Sequence, residues 1–378
     1  MVRLCGRGTL RRLTSLFTTT VLFLVGIVLL TAGAEVLVRG ASHLSVAAGI
    51  SPLVVGLTVV AYATSAPELA VSVQAALAGQ PGVATGNIVG SNISNILLIL
   101  GLSAVAAPLI VHQQIVRLDV PLMIGVSVIA LLMSWNGLVS TLEGWLLVAG
   151  ALVFTVFVIR KSRRETREIV AEYEQEFGVP ETERHGAKRI VRDLLLIAGG
   201  LVMLLVGARM LVSAATTTAL ALGVSEVVIG LTVIAVGTSL PELATSLVAS
   251  IRGERDIAVG NIVGSNLFNL LFVLGSTAVV IPTGITVDPI IVGIDMPIMI
   301  GASLLCLPIF AGHRVTRWEG LLFLLLYVAY VTYVLLRATE HAWLETFSDF
   351  MLWFGLPFTV LAAALSWYHA RHVGAQRG

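Results

Sequence analysis

Apolar residues in this chain come in runs of about 20, separated by short polar breaks, and that is the length at which a helix crosses the hydrocarbon core of a bilayer. Eleven such runs predict membrane-spanning helices near residues 16–40, 51–77, 84–107, 119–136, 141–160, 193–215, 225–251, 258–281, 295–311, 318–337 and 347–368. One polar stretch is long. Residues 160–192 hold nine of the 23 basic residues, interleaved with glutamates, and read as a solvated linker with at most a short helix. The linker is too short for a folded regulatory domain.

The pattern recurs. Gly56-Leu57-Thr58, leading to Thr64-Ser65-Ala66-Pro67-Glu68, returns 174 positions later as Gly230-Leu231-Thr232, leading to Thr238-Ser239-Leu240-Pro241-Glu242. Each copy is followed at the same distance by a second block, Gly86-Asn87-Ile88-Val89-Gly90-Ser91-Asn92 and Gly260-Asn261-Ile262-Val263-Gly264-Ser265-Asn266. Five spans precede the linker and five follow it in the second copy. Five is odd, so the second copy enters the membrane from the opposite side, as in transporters built from inverted repeats. The expected fold is therefore an all-α polytopic membrane protein of two inverted five-helix repeats, ten core helices in all, plus one extra C-terminal transmembrane helix. Its parts are a tail at 1–15, a first repeat at 16–160, a linker at 161–192, a second repeat at 193–337, and the extra helix and tail at 338–378. The tail arginines Arg3, Arg7, Arg11 and Arg12, followed by an apolar run and Ala32-Gly33-Ala34, have the make-up of a signal peptide. However, Gly33-Ala34 with Leu37-Val38 matches Gly207-Ala208 with Leu211-Val212, which assigns the first span to the repeat.

Composition agrees and narrows the classes. Mean hydropathy is +0.96 and charged residues are 12%, about half the share of a soluble protein. A net charge of +1 gives no reason to expect a nucleic-acid partner. The two cysteines, Cys5 and Cys306, supply no disulfide or metal framework. No dinucleotide fingerprint, phosphate loop or zinc-protease motif is present, so neither an enzyme nor a resident cofactor is expected. With the first span starting outside, Arg39, Arg117, the linker, Arg252, Arg255, Arg314, Arg317, Arg371 and Arg377 all fall on the cytoplasmic side. The N-terminus is then outside, and the linker and C-terminus are inside. Arg209, near a span end, and Arg337 fall outside, and the four tail arginines run against this orientation.

A carboxylate in a membrane helix costs roughly 2.5 kcal/mol or more on insertion scales, and this chain places one in each copy, Glu68 and Glu242. Pro67 and Pro241 remove a backbone hydrogen bond in the preceding turn, which opens carbonyl oxygens there. Thr64 and Ser65 share a helix face with Glu68, as Thr238 and Ser239 do with Glu242. On the next span Asn87, Ser91 and Asn95 form one polar stripe, repeated by Asn261, Ser265 and Asn269. Small and polar residues of this kind can serve as helix-packing glue or as ligands. A glutamate beside each stripe, twice over, favours ligands. Every donor is a hard oxygen, which selects Ca²⁺ or Na⁺ over zinc or copper. Two negative charges balance one Ca²⁺, two Na⁺ or two protons.

Other polar positions read structurally. Asp119-x-Pro121 and Asp295-x-Pro297 fit N-caps with proline in the first turn, with a part in an ion path as the alternative. Ser140 with Glu143, and Thr316 with Glu319, fit capping boxes. No histidine lies in either motif block. Trp135, Trp318, Trp343, Trp353 and Trp367 sit near span ends and suit interfacial anchoring.

The Thr-Ser-x-Pro-Glu block followed by Gly-Asn-x-x-Gly-Ser-Asn, present twice in inverted halves, resembles the α-repeats of the sodium/calcium exchanger family of cation antiporters, in its compact prokaryotic form. The resemblance covers about residues 16–337. It implies alternating access around an ion site made by the second, third, seventh and eighth helices, in which the first and sixth slide against the rest. It implies ligands Thr64, Ser65, Glu68, Ser91 and Asn95 from the first copy, and Thr238, Ser239, Glu242, Ser265 and Asn269 from the second, with the carbonyls of Ala61 and Ala235. Some members carry aspartate where this chain has Asn269. Ca²⁺ exported against entering Na⁺ across a prokaryotic plasma membrane is the implied activity, and a Ca²⁺/H⁺ antiporter using the same glutamates is the alternative.

Overall fold

The structure, a computed structural model, describes residues 2–177 and 187–375. Helices α1 (Val2–Ala48), α2 (Pro52–Thr64), α3 (Ala66–Leu77), α4 (Pro81–Ala106), α5 (Ile115–Ser134) and α6 (Thr141–Phe177) make the first half. Then come α7 (Ala187–Ala221), α8 (226–238), α9 (Leu240–Arg252), α10 (Arg255–Val280), α11 (Ile291–Phe310), α12 (Arg317–Ala338) and α13 (Leu344–His369). Among the described residues nine helices are long and apolar enough to cross a membrane, and a tenth span forms if α2 and α3, bent by 42° at their junction, count as one. The remaining expected span, near 225–251, is the corresponding pair α8 and α9. The N-terminal tail continues α1 from Val2 without a break, and the start of the linker continues α6 to Phe177. Residues 178–186 of the linker lie outside the described part.

Glycine spacing explains how the halves meet. Gly26, Gly33 and Gly40 recur every seven residues on α1, and Gly200 and Gly207 on α7, so each set lies on one face where backbones can approach. A Cβ on Gly33 would lie 2.8 Å from the carbonyl oxygen of Gly200, and one on Gly207 would lie 2.9 Å from that of Gly26. Contacts that advance on one helix while receding on the other mean that α1 and α7 run antiparallel. They are also equivalent spans, so the two copies are inverted.

The same exchange of partners recurs elsewhere. Gly101 meets Gly320, and their counterparts Gly275 and Gly144 meet each other. Four two-residue strands close the ends: β1 (Leu109–Ile110) pairs antiparallel with β4 (Arg314–Val315), and β2 (Leu138–Val139) with β3 (Ile285–Thr286). Each pair joins one half to the other.

The core lies where the motif blocks are. Helices α4 and α10 are the most enclosed spans, with 78% and 94% of their apolar windows buried, whereas the window of α13 is 0% buried. Helix α13 packs on α11 and α12 from outside, and Ser366 Oγ donates to the Glu319 carboxylate. Both capping boxes form: the Ser140 amide donates to Glu143 Oε2 at 2.7 Å, and that of Thr316 to Glu319 Oε2 at 2.7 Å. Trp135, Trp318, Trp343, Trp353 and Trp367 are all exposed.

Asp119 and Asp295 are not N-caps. Helices α5 and α11 begin four residues earlier, at Ile115 and Ile291, with a π-helical turn that ends on each aspartate. The Asp295 carboxylate accepts from Tyr330 OH at 3.1 Å, and that of Asp119 from Gln114 Nε2 at 3.3 Å.

Candidate cation-binding centre

The two motif helices break at the same place. Ser65 (φ −85°, ψ 7°) separates α2 from α3, and Ser239 (φ −88°, ψ 7°) separates α8 from α9. These angles lie in the bridge region, which helices avoid and functional sites use. The prolines follow in the first turn of the new half-helix, the position that needs no amide hydrogen. Glu68 and Glu242 fall in that same first turn, where unpaired amides and the positive end of the helix dipole favour a carboxylate.

The copies then reach across to one another. Ser65 Oγ donates to Glu242 Oε1 at 2.8 Å, and Ser239 Oγ lies 3.2 Å from Glu68 Oε1 and 3.3 Å from Ser91 Oγ. Thr64 Oγ1 reaches Asn261 Oδ1 at 3.1 Å, and Thr238 Oγ1 reaches Asn87 Oδ1 at 3.3 Å. Asn87 Nδ2 returns to Ser72 Oγ at 3.0 Å and Asn261 Nδ2 to Ser246 Oγ at 2.9 Å. Asn87 and Asn261 thus spend their amides as struts. Both glutamates are fully buried and within electrostatic reach of each other. Among the described residues neither has an ion-pair partner. Two unpaired carboxylates at this depth need cations or protons to be tolerated.

The oxygens that remain uncommitted fit a cation. Glu68 Oε2, Glu242 Oε2, Asn95 Oδ1, Asn269 Oδ1 and Ser265 Oγ are buried and have no hydrogen-bond partner. All five are hard donors. Asn95 and Asn269 each stand at the first position of a π-helical turn, Asn95–Leu100 and Asn269–Val273. Such turns are frequent at functional sites. Ala61 O accepts from the Ser65 amide at 3.0 Å and from Thr64 Oγ1 at 3.3 Å. In the second copy the Ser239 amide turns instead to Val236 O at 3.1 Å, and Ala235 occupies the corresponding turn of α8. The π turns left no sequence signal beyond the polar residue that opens each. Asn92, which closes the second motif block of the first copy, positions Asn269: its Oδ1 accepts from Asn269 Nδ2 at 3.2 Å. The corresponding Asn266 turns to its own helix, at Ile262 O, so both amide atoms of Asn95 lack partners.

The centre is enclosed unequally. Where α2 crosses α10, a Cβ on Gly56 would lie 2.8 Å from Ile257 O, one on Gly260 2.6 Å from Leu53 O, and one on Gly264 2.5 Å from Leu57 O. The symmetry-related crossing is that of α8 with α4. There Gly230 and Gly90 have nothing within 4 Å, and Gly86 only a side-chain methyl at 4.0 Å. Thr64 is fully buried whereas Thr238 is partly open. One of the two seams is shut and its twin is apart.

A helical membrane fold around a buried, oxygen-lined centre with two carboxyl groups at a repeat junction defines an ion transporter rather than an enzyme. Comparison with known proteins makes the class specific. The family model described as sodium/calcium exchanger protein matches residues 18–160 and 193–336. The inner membrane protein YrbG of Escherichia coli (strain K12) is 39% identical over 76% of this chain and 86% of its own. The sodium/calcium exchanger MaX1 of Methanosarcina acetivorans is 29% identical over 82% of this chain and 96% of its own. The solved structure of the sodium-calcium exchanger NCX_Mj, from a crystal soaked with Na⁺ and no Ca²⁺, superimposes with a TM-score of 0.72 at 30% identity, covering 84% of this chain and 99% of that one. This chain belongs to the sodium/calcium exchanger family and is a membrane antiporter of cations.

Proposed function

We propose that this protein exchanges Ca²⁺ for Na⁺ by alternating access at the centre formed by Glu68 and Glu242. The observation that carries the reading is the set of five buried oxygens without partners: Glu68 Oε2 with Glu242 Oε2 and Asn95 Oδ1 with Asn269 Oδ1, in equivalent places of the two copies, together with Ser265 Oγ. Glu68, Glu242, Thr64, Ser65, Ser91, Asn95, Thr238, Ser239, Ser265 and Asn269, with the carbonyls of Ala61 and Ala235, are the assigned ligands. Two carboxylates neutralise one Ca²⁺ or two Na⁺. Neutral asparagines at 95 and 269 add no third charge, so one Ca²⁺ is exchanged for two Na⁺ without net charge movement. The repeats span 16–160 and 193–337 around the linker. The basic loops put the linker and C-terminus in the cytoplasm and the N-terminus outside, in a prokaryotic plasma membrane.

The test is radioactive calcium uptake into liposomes holding the purified chain, with an outward Na⁺ gradient in one set and an outward H⁺ gradient in another, potential clamped. Uptake driven by Na⁺ alone supports the proposal. Uptake driven by H⁺ alone replaces it with Ca²⁺/H⁺ exchange, which the free second oxygen of each glutamate would serve as a proton site.

A further inference from the structure

Under the appended helix lies a cavity of about 670 Å³, walled by the 311–316 turn, the start of α12 and the inner face of α13. Its lining divides in two. Phe358, Leu361 and Leu365 of α13 and the Trp318 ring form an apolar wall that runs on into the lipid-facing surface. Arg314, His313 and His369 form a polar end. Arg314 is held in place by its strand pairing with Ile110, which buries the next side chain, Val315, and turns Arg314 outward. Among the described residues no carboxylate pairs with its guanidinium. The one carboxylate in the lining, Glu319, is already engaged by Thr316 and Ser366. Both imidazoles give Nδ1 to a backbone carbonyl, that of Val111 for His313 and that of Leu365 for His369, which leaves Nε2 for an outside partner.

The backbone adds a second observation. His313 has φ +54°, and its counterpart in the first copy is Gly137, at φ +80°. The turn needs a left-handed residue, for which glycine carries no steric cost. The second copy instead holds a histidine there, at a cost of order 1 kcal/mol, and only the second copy is followed by an appended helix.

We propose that this cavity binds an anionic phospholipid of the surrounding membrane, its phosphate on Arg314 with His313 and His369, and one acyl chain along Phe358, Leu361 and Leu365. Charge complementarity names the headgroup, and continuity with the lipid-facing surface names the tail. The helix that makes the site lies beyond the residues shared with the exchanger family, so the site is particular to chains that carry it.

Native mass spectrometry of the full chain in detergent, with phosphatidylglycerol or phosphatidylcholine added, tests this. The wild type is expected to retain one phosphatidylglycerol and little phosphatidylcholine. Arg314→Gln is expected to weaken phosphatidylglycerol retention about tenfold, as loss of one charge-assisted contact implies, and Arg314→Lys to keep the selectivity. Ala362→Trp, which fills the cavity from its apolar wall without touching the charges, is expected to abolish retention. Equal retention of the two lipids overturns the proposal, as does phosphatidylglycerol unmoved by both Arg314→Gln and Ala362→Trp. Displacement by inorganic phosphate alone would show a phosphate site without a tail. A lipid-free mass of two chains would show that a second copy covers this face.

Discussion

Ser65 donates to Glu242 at 2.8 Å, a hydroxyl of one copy holding the carboxylate of the other. Ser239 and Glu68 answer at 3.2 Å. Each glutamate is thereby fixed through one oxygen by the opposite half and keeps its second oxygen uncommitted. Glu68→Gln and Glu242→Gln preserve shape and the hydrogen-bond acceptor but delete a charge. Each is expected to lower Ca²⁺ uptake by more than about tenfold while the protein still folds. Full activity in either variant would remove that glutamate from the site.

The serines themselves should matter less. Hydrogen bonds between membrane helices contribute about 0.6 kcal/mol on average and about 1.7 at most, because the unfolded chain in the bilayer also finds partners. Ser65→Ala is expected to lose about 1 kcal/mol of stability against denaturing detergent. Ser239→Ala should lose less, since its hydroxyl is shared between Glu68 and Ser91 at longer distances. Equal losses, or a larger one at Ser239, would contradict this ordering.

Charge counting gives a sharper test. With only two carboxylates, exchange of one Ca²⁺ for two Na⁺ moves no net charge, so the wild-type flux is expected to be indifferent to clamped voltage. Asn269→Asp adds a third negative charge at an oxygen that has no partner. A third monovalent ion can then be balanced, and the flux should become voltage-dependent. Current carried by the wild type would refute the two-charge reading.

The two seams make a paired prediction. Gly264→Ala puts a methyl 2.5 Å from the Leu57 carbonyl oxygen, a backbone atom that cannot swing aside, and overpacking of this kind costs about 1–3 kcal/mol. It should lower the melting temperature. Its counterpart Gly90→Ala meets nothing within 4 Å and should leave the melting temperature unchanged, yet it should suppress transport if the open seam must close during each cycle. Normal transport by Gly90→Ala would show that this seam never closes as its twin does.

Much of this was legible in the chain itself. Glu68 and Glu242, the serines beside them and the asparagine stripes stand out because each occurs twice in register. A charged group in an apolar run has few uses. What could not be read depends on geometry that composition does not encode. The π turns opening at Asn95 and Asn269 change the register by one residue without any special side chain. Asp119 and Asp295 look like caps because proline follows, but the helices start a turn earlier. Asn92 and Asn266 close the same Gly-Asn-Ile-Val-Gly-Ser-Asn block, and only the fold shows that one braces Asn269 while the other bonds to its own helix. The left-handed His313 is invisible until its glycine counterpart is seen at the same turn.

The shut seam takes Gly56 from the first copy and Gly260 and Gly264 from the second, and the open seam takes Gly230 from the second and Gly86 and Gly90 from the first. A molecule whose copies were identical would have no reason to rest on one side. Here Tyr62, stacked on Phe268 at 4.3 Å, has Val236 as its counterpart across the repeat. The differences between the copies, rather than the residues they share, are therefore where an energetic preference for one shut seam over its twin has to come from. Tyr62 and Val236 thus weigh on the balance between the two seams without being among the oxygens of the ion site.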